Sequence, residues 1–569
     1  MELISVNNFI LTPKVDAARE FIEISKDFAN PLDLVREAVS NAFDAKATRI
    51  EISFSSIVLR GENLLKIEIY DNGNGMNTDG LQSFFDLGNS QNRHNPEAIG
   101  EKGHGTKVYF NSSCITVTTV NSGVEYTAML EKPLNSLYEG QIPDVQVSNK
   151  KSTESSFTRI EILGYNGNRR DQFSHSILKD HVIWFTKMGS FEREFKIEDN
   201  KDVKLLLKGL DKNTLEEIPF GHYFPENSKK IDVLFDEYVT DAPHHYCKKI
   251  IKEGVLPNFP DINYQAIYCI EGKNVKYSYN PMIRRPGYSA PHGAYQIQER
   301  YGLWLCKDFM PIQRQNEWIS EKGSEFTKFH AFVNCQKFNL TANRGSVANT
   351  PYEIINDLQG VVEGHYEAIT NGDDWKNMNW LQAEADAHRT VKNEKKNFES
   401  RMKKINTANV AKYDDLLLIE PRHESGVFAM FMQLASKTKN LFPFTIIDYD
   451  THEGIDVIAK ARDGISIKSS RLYYVEFKYY LTKDFNHTFE SSHSIVCWDT
   501  KIKHGDVVSD LTGEEYEMRI VPPAGEGDYT RYQLIPPRSN HIIEVFVLKD
   551  YLAQKLGLQF RPRDDSFIE

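Results

Sequence analysis

The sequence predicts an α+β fold divided among several domains, and three observations carry that expectation. The chain has 569 residues, more than a single hydrophobic core accommodates. Residues 31–190 alternate helical and strand patterns, whereas residues 200–360 are richer in strands. A charged helical stretch follows, and a fresh apolar pattern of one helix and three strands begins near Tyr413. These shifts divide the chain into segments 1–195, 196–365, 366–412 and 413–569.

The elements follow in order. Residues 1–30 combine a short strand pattern with a helical one around VDAAREFIEISKDF. The next segment contributes the strands RIEISFSS, LLKIEIYD, CITVTTVN, EYTAMLE and FTRIEILGY, and the helix QFSHSILKDHVIWFT closes it. Strands KLLLKGL, YQAIYCIEG, YGLWLCKDF and KFHAFVNCQKFNL mark the second segment. WLQAEADAHRTVKNEKKNFESRMKKI reads as a solvated connecting helix, with a coiled-coil dimerisation arm as the alternative. No internal repeat or long low-complexity segment interrupts the chain.

Composition narrows the classes. Hydrophobic residues make up 40% and charged residues 26%, as in ordinary globular proteins. No apolar run reaches the roughly 18 residues a membrane span needs. The start MELISVNNFILTPKVD has no basic region leading an apolar stretch, so no secretory signal is expected. Six scattered cysteines, none at C-x-x-C spacing, indicate neither a zinc site nor a disulfide framework and fit a reducing, cytoplasmic setting. With net charge −12 and pI about 5.9, contact with nucleic acid requires a local basic patch or one made by assembly.

The first constellation begins with PLDLVREAVSNAFDAKATRI. Pro31 can open a helix. Glu37, Asn41 and Asp44 then stand four and three residues apart, one narrow polar stripe with Leu34, Ala38 and Ala45 on its buried flank. A carboxylate at a cavity edge can polarise an attacking water, and an amide oxygen can complete a Mg²⁺ shell built of phosphates and waters. In isolation, such a stripe is more often a solvated helix face. In LLKIEIYDNGNGM, Leu65, Ile67 and Ile69 share one strand face and Asp71 continues that parity inward. A buried carboxylate needs a donor, which the exocyclic amine of adenine supplies. Gly73 and Gly75 allow close backbone approach to a flat base, although N-G after a strand also serves as an ordinary turn. In IGEKGHGTKVYF, Gly100, Gly103 and Gly105 form a loop leading into a helical pattern, with Lys102 and Lys107 adding charge. Its amides suit phosphates, but the pattern fits neither a Walker nor a Rossmann motif.

In order and spacing, E-x-x-x-N-x-x-D-A, D-x-G-x-G and G-x-x-G-x-G-x-K resemble the N, G1 and G2 boxes of GHKL ATPases, which include gyrase, MutL, the heat-shock chaperone of that class and the MORC proteins. The resemblance implies an N-terminal Bergerat α/β sandwich over 1–195 that binds ATP with Mg²⁺. Glu37 is then the general base and Asn41 the Mg²⁺ ligand, with Asp44 beside them. Asp71 reads adenine, and Gly73, Gly75 and Met76 line the base. Gly100, Lys102, Gly103, His104, Gly105, Thr106 and Lys107 form the phosphate-holding lid. Thr158 in FTRIEI matches the threonine that supports the adenine-binding aspartate, with Phe157 where the family has glycine. Histidine kinases share the fold but lack a hydrolytic glutamate in this role, so Glu37 favours hydrolysis.

In the same superfamily, a transducer-like α/β domain, here 196–365, returns a basic residue to the γ-phosphate. LTANR resembles the P-T-H-N-K turn of MORC proteins and makes Arg344 the sensor, with Lys307 and Lys337 as rivals and a surface turn arginine as the plain alternative. The planar guanidinium suits the task.

The last segment orders HESGVFAMFMQLAS, LFPFTIIDYD, GIDVIAKAR and RLYYVEFKYYL as helix, strand, strand, strand. Glu476 and Lys478 share one strand face and Val475 and Phe477 the other. A hairpin can set Asp456 beside Glu476, two carboxylates suited to Mg²⁺, with Lys478 helping to activate water and Glu424 adding an oxygen ligand. An E-x-K strand is otherwise a common cross-strand salt bridge. The pattern resembles the PD-(D/E)XK restriction-endonuclease-like fold, with Ile455-Asp456 at the proline-aspartate pair. FNHTFESSHSIVCWD is expected to supply the helix and strand that complete the core, and His487 or His493 could assist.

Together these resemblances imply an ATP-gated, DNA-directed nuclease that forms a homodimer on ATP binding, with antiviral defence as the associated role and a partner protein as an open requirement. The alternatives are a MORC-type ATP-dependent DNA clamp without cleavage, and a chaperone-like ATPase acting on protein clients; the low pI favours the last slightly, and the E-x-K strand with its context favours the nuclease more.

Overall fold

The computed structural model describes residues 10–26, 28, 30–59, 61–88, 99, 105–320, 323–341, 343–450, 456–462, 466–538 and 540–563. The chain forms two compact units, Met1–Thr390 and Val391–Glu569.

The first unit is built on an eight-stranded sheet of β1 (Arg49–Leu59), β2 (Glu62–Asp71), β3 (Cys114–Asn121), β4 (Val124–Glu131), β5 (Gln146–Lys151), β6 (Phe157–Leu163), β7 (Lys204–Lys208) and β8 (Glu216–Pro219). Its order is β5-β4-β3-β6-β2-β1-β7-β8. Only β1 and β7 run parallel. Period-two patterning decides its faces. Ile50, Ile52 and Phe54 of β1 and Leu65, Ile67 and Ile69 of β2 enter one core. Leu34, Val35, Ala38, Val39 and Ala42 of the Asp33–Asp44 helix and Leu178 and Val182 of the His175–Phe185 helix enter the same core. The sheet continues past residue 195 because Leu205 and Leu207 of β7 are fully buried in this core.

A second sheet, of order β12-β11-β13-β10-β9, comprises β9 (Cys247–Val255), β10 (Asn263–Glu271), β11 (Gly302–Lys307), β12 (Met310–Arg314) and β13 (Phe329–Cys335). Both of its faces are buried. Ile267, Cys269, Trp304, Cys306 and Phe332 join the core of the first sheet. Ala266, Tyr268, Leu303, Leu305, Ala331 and Val333 join a separate core with Leu358 and Val362 of the Tyr352–Thr370 helix. The two sheets of this unit therefore share apolar packing.

The charged stretch is one helix, Asp373–Asn406. Trp375, Met378, Leu381 and Ala385 are buried, whereas residues 391–406 are exposed.

The second unit has a small sheet of β14 (Asn409–Tyr413), β15 (Leu416–Ile419) and β24 (Arg561–Pro562). Its main sheet runs β16-β17-β18-β19-β23-β22-β21-β20. The strands are β16 (Phe444–Asp450), β17 (Asp456–Ala461), β18 (Leu472–Leu481), β19 (Ser494–Thr500), β20 (Val507–Ser509), β21 (Glu515–Val521), β22 (Arg531–Ile535) and β23 (Ile543–Val547). The helices Glu424–Lys437 and Leu548–Leu556 pack on one face with Val475, Phe477, Val496 and Phe546. The helix expected in FNHTFESS is not formed. Phe485 and Phe489 instead stack at 5.5 Å within an irregular segment. They fill a second core with Ile495, Cys497 and Val545.

Candidate functional site

The Asp33–Asp44 helix begins two residues after Pro31, and its buried inner face aims the Glu37–Asn41–Asp44 stripe along one edge. Burial pushes the Glu37 carboxyl up, while the Arg344 guanidinium, a hydrogen bond with the Asn41 side chain and Arg36 pull it down. The Tyr109 phenol is buried in the same neighbourhood, and burial together with Glu37 pushes it well up.

Asp71 ends β2 directly opposite Thr158 on β6. It is 7% exposed and accepts the Gly73 N–H at 2.9 Å. Burial raises its carboxyl to about 6 despite that amide. A Cβ on Gly73 would lie 2.6 Å from the Ala45 carbonyl oxygen, and one on Gly75, at φ +66°, would lie 2.0 Å from that of Val120. Neither position admits a side chain without rearrangement. The Met76 N–H donates to Thr119 Oγ1 at 2.8 Å. The Thr119 hydroxyl donates to the Phe157 carbonyl at 2.9 Å and lies 3.3 Å from Thr158 Oγ1. Thr119 thus ties the glycine turn to the Thr158 strand. Sequence reasoning missed it, because a threonine in CITVTTVN carries no signal beyond strand propensity.

Of the expected lid residues, Gly100, Lys102, Gly103 and His104 lie outside the described residues. Ile99 is anchored at both ends of its backbone: its N–H donates to Asp44 Oδ1 at 2.8 Å, and its carbonyl accepts from Arg344 Nη1. The helical pattern after the loop is a short 3₁₀ helix, Gly105–Phe110, as suits so brief a span. Gly105 opens it against Glu37. The Thr106 hydroxyl donates to the Phe84 carbonyl at 2.7 Å. The Lys107 ammonium, expected among the phosphate-holding groups, is fully buried and donates to that carbonyl at 2.8 Å and to Thr106 Oγ1 at 2.7 Å. Burial lowers it to about 7, with Glu37 and Asp86 opposing.

The second sheet delivers Arg344 to this helix. Arg344 follows β13 at φ +56°. Its Nη2 lies 3.1 Å from Asp308 Oδ2, and its charge acts on Glu37. Arg36 Nη2 donates to the Asn343 carbonyl at 2.7 Å, which ties the same turn to the Glu37 helix. Of the rivals, Lys307 is buried at the end of β11 and Lys337 is exposed.

In the second unit, Asp456 on β17 stands in register with Glu476 on β18. Ile455 and the Asp456 side chain lie outside the described residues. Glu476 is fully buried. Its Oε1 accepts from Lys478 Nζ at 2.6 Å and lies 3.1 Å from His487 Nε2. Lys478 Nζ is 3.8 Å from Glu424 Oε2 at the start of the Glu424–Lys437 helix. Strand parity brings Glu476 and Lys478 together, and the irregular segment adds His487. His493 instead packs against the Tyr473 ring at 4.1 Å. Among the described residues, no three His, Cys, Asp or Glu side chains converge as a metal site.

No curated protein matches the sequence. Residues 31–159 match the family described as Histidine kinase-, DNA gyrase B-, and HSP90-like ATPase, and this segment is therefore a GHKL-type ATPase domain.

Proposed function

We propose that the chain hydrolyses Mg-ATP at the Glu37–Asp71 site and uses that cycle to gate phosphodiester cleavage of DNA at the Asp456–Glu476–Lys478 site. One observation carries the ATPase reading: the Arg344 guanidinium reaches the Glu37 helix and its charge draws the Glu37 carboxyl down against the effect of burial. The carboxylate draws a proton from the attacking water, Arg344 and the loop amides meet charge developing on the γ-phosphate, and Asp71 with Thr158 holds adenine. Asn41, hydrogen-bonded to Glu37, would hold Mg²⁺, which neutralises phosphate charge when bound.

The nuclease reading is supported by the Asp456–Glu476 register and by the Lys478–Glu476 contact. Glu476, Asp456 and Glu424 offer the hard oxygen donors that suit Mg²⁺, which would polarise the scissile phosphate when bound. Lys478 holds the carboxylate and is available to orient water. Closure of two chains over their nucleotides and a role in antiviral defence belong to this proposal.

ATP binding and phosphate release by Glu37→Gln test the first site. Retained binding with release reduced at least about 100-fold is expected for loss of a general base. Release at the parental rate would remove Glu37 from the mechanism.

A further inference from the structure

The Arg344 guanidinium is gripped by two residues from different parts of the first unit. Its Nη1 donates to the Ile99 carbonyl, and Nη2 donates to Asp308 Oδ2 at 3.1 Å. Asp308 belongs to the two-residue turn between β11 and β12. Asp308 and Phe309 have φ +55° and +58°, the pattern of a type I′ hairpin, where Asn-Gly is usual. A phenylalanine in the left-handed region is strained, and such strain persists only where its surroundings over-determine it.

The surroundings do so here. The Phe309 ring lies 5.2 Å from Phe191 and 6.0 Å from Phe195. Its N–H donates to Asn334 Oδ1 at 2.9 Å. The Asp308 carbonyl accepts from Lys187 Nζ at 3.1 Å, and that ammonium pairs with buried Glu192. Lys187 and Glu192 follow the His175–Phe185 helix of the first core. The turn is therefore fixed through its backbone and its ring, while the Asp308 carboxylate faces Arg344.

We infer that Asp308 is a positioning residue for ATP hydrolysis: it fixes the plane of the Arg344 guanidinium so that the remaining donors stay aligned beside Glu37 and the γ-phosphate site. The inference rests on the reading of Arg344 as the residue that meets that phosphate. Asp308 acts through Arg344 and touches no reacting atom, so its removal slows turnover more than it weakens ATP binding.

The experiment is a double-mutant cycle on the full chain, with kcat and KM for ATP measured by phosphate release. Asp308→Asn keeps the shape and tolerates the left-handed backbone, and a melting curve checks its fold. Loss of the charge-assisted bond should lower kcat about tenfold, with KM within about twofold. In an Arg344→Ala background the same substitution should cause no further loss, and with Arg344 intact Asp308→Glu should keep more of the rate than Asp308→Asn. Equal losses in both backgrounds would show that Asp308 acts independently of Arg344 and overturn the inference. An unchanged rate in Asp308→Asn, with Arg344→Ala impaired, would overturn this inference alone. An unchanged rate in Arg344→Ala would overturn the Arg344 reading and this inference with it.

Discussion

A Cβ atom placed on Gly105 would lie 2.0 Å from the Glu37 carboxylate. The last glycine of the expected phosphate-binding loop thus leaves room for the expected general base. Because the obstructed group is the far end of a side chain, Gly105→Ala should displace the carboxylate and spare the fold. A loss of at least about tenfold in ATP turnover is expected from misplacement of this kind, with little change in melting temperature. Turnover at the parental rate would show that the carboxylate works from elsewhere.

Asp71 makes the first site sensitive to pH. Its folded carboxyl, near 6, lies above the unfolded value of roughly 4. The folded state therefore holds the proton more tightly. The cost of ionisation is absent below about pH 4 and complete above about pH 6. Asp71→Asn should stabilise the nucleotide-free protein at neutral pH by up to roughly 3 kcal/mol, an advantage that disappears in acid. The parental protein should bind ATP more tightly as pH rises through about 6, since the ionised oxygen is the better acceptor for the adenine amine. Calorimetric titrations at several pH values check this, and Asp71→Asn should abolish the trend.

Thr119 links the Met76 amide to the Phe157 carbonyl. Thr119→Val keeps the β-branched shape and removes both bonds. Leaving the buried partners unsatisfied costs about 1–3 kcal/mol, which should appear as weaker ATP binding and a lower melting temperature. No change in either would mean that water replaces the hydroxyl.

In the second unit, Lys478→Ala removes the donor to buried Glu476, and Glu476→Gln removes the charge. Each should abolish DNA cleavage while ATP turnover persists. His487→Ala removes the neighbour at 3.1 Å and should slow cleavage by about tenfold, as loss of a charged hydrogen bond does. Unaltered cleavage in the Glu476 variant would end the nuclease proposal.

Much of the first site was legible because local periods determine it. The Glu37–Asn41–Asp44 stripe follows from helical spacing, and the inward aim of Asp71 follows from strand parity. The same parity sets Val475 and Phe477 on the face opposite Glu476 and Lys478, and the structure buries that pair in the core. The contacts of Thr119, Asp308 and Lys107 were not legible, because residues distant in sequence create them. Lys107 looked like a loop cation, yet its amine is buried at the end of the Thr78–Phe85 helix, on the Phe84 carbonyl. Phe485 and Phe489 imitate a helical period, but Asp510 captures the Phe489 amide at 2.9 Å and both rings turn into a core that the sequence does not announce.

The coupling of the two sites is tested most directly by plasmid cleavage with Mg²⁺, with and without ATP, and with ATP hydrolysis followed in the same samples. The intact protein is compared with Glu37→Ala and Glu476→Ala. Glu37→Ala should lose hydrolysis and show altered cleavage, and Glu476→Ala should lose cleavage while hydrolysing ATP normally. Cleavage that survives Glu476→Ala, or that is the same in Glu37→Ala as in the intact protein, would contradict an ATP-gated nuclease.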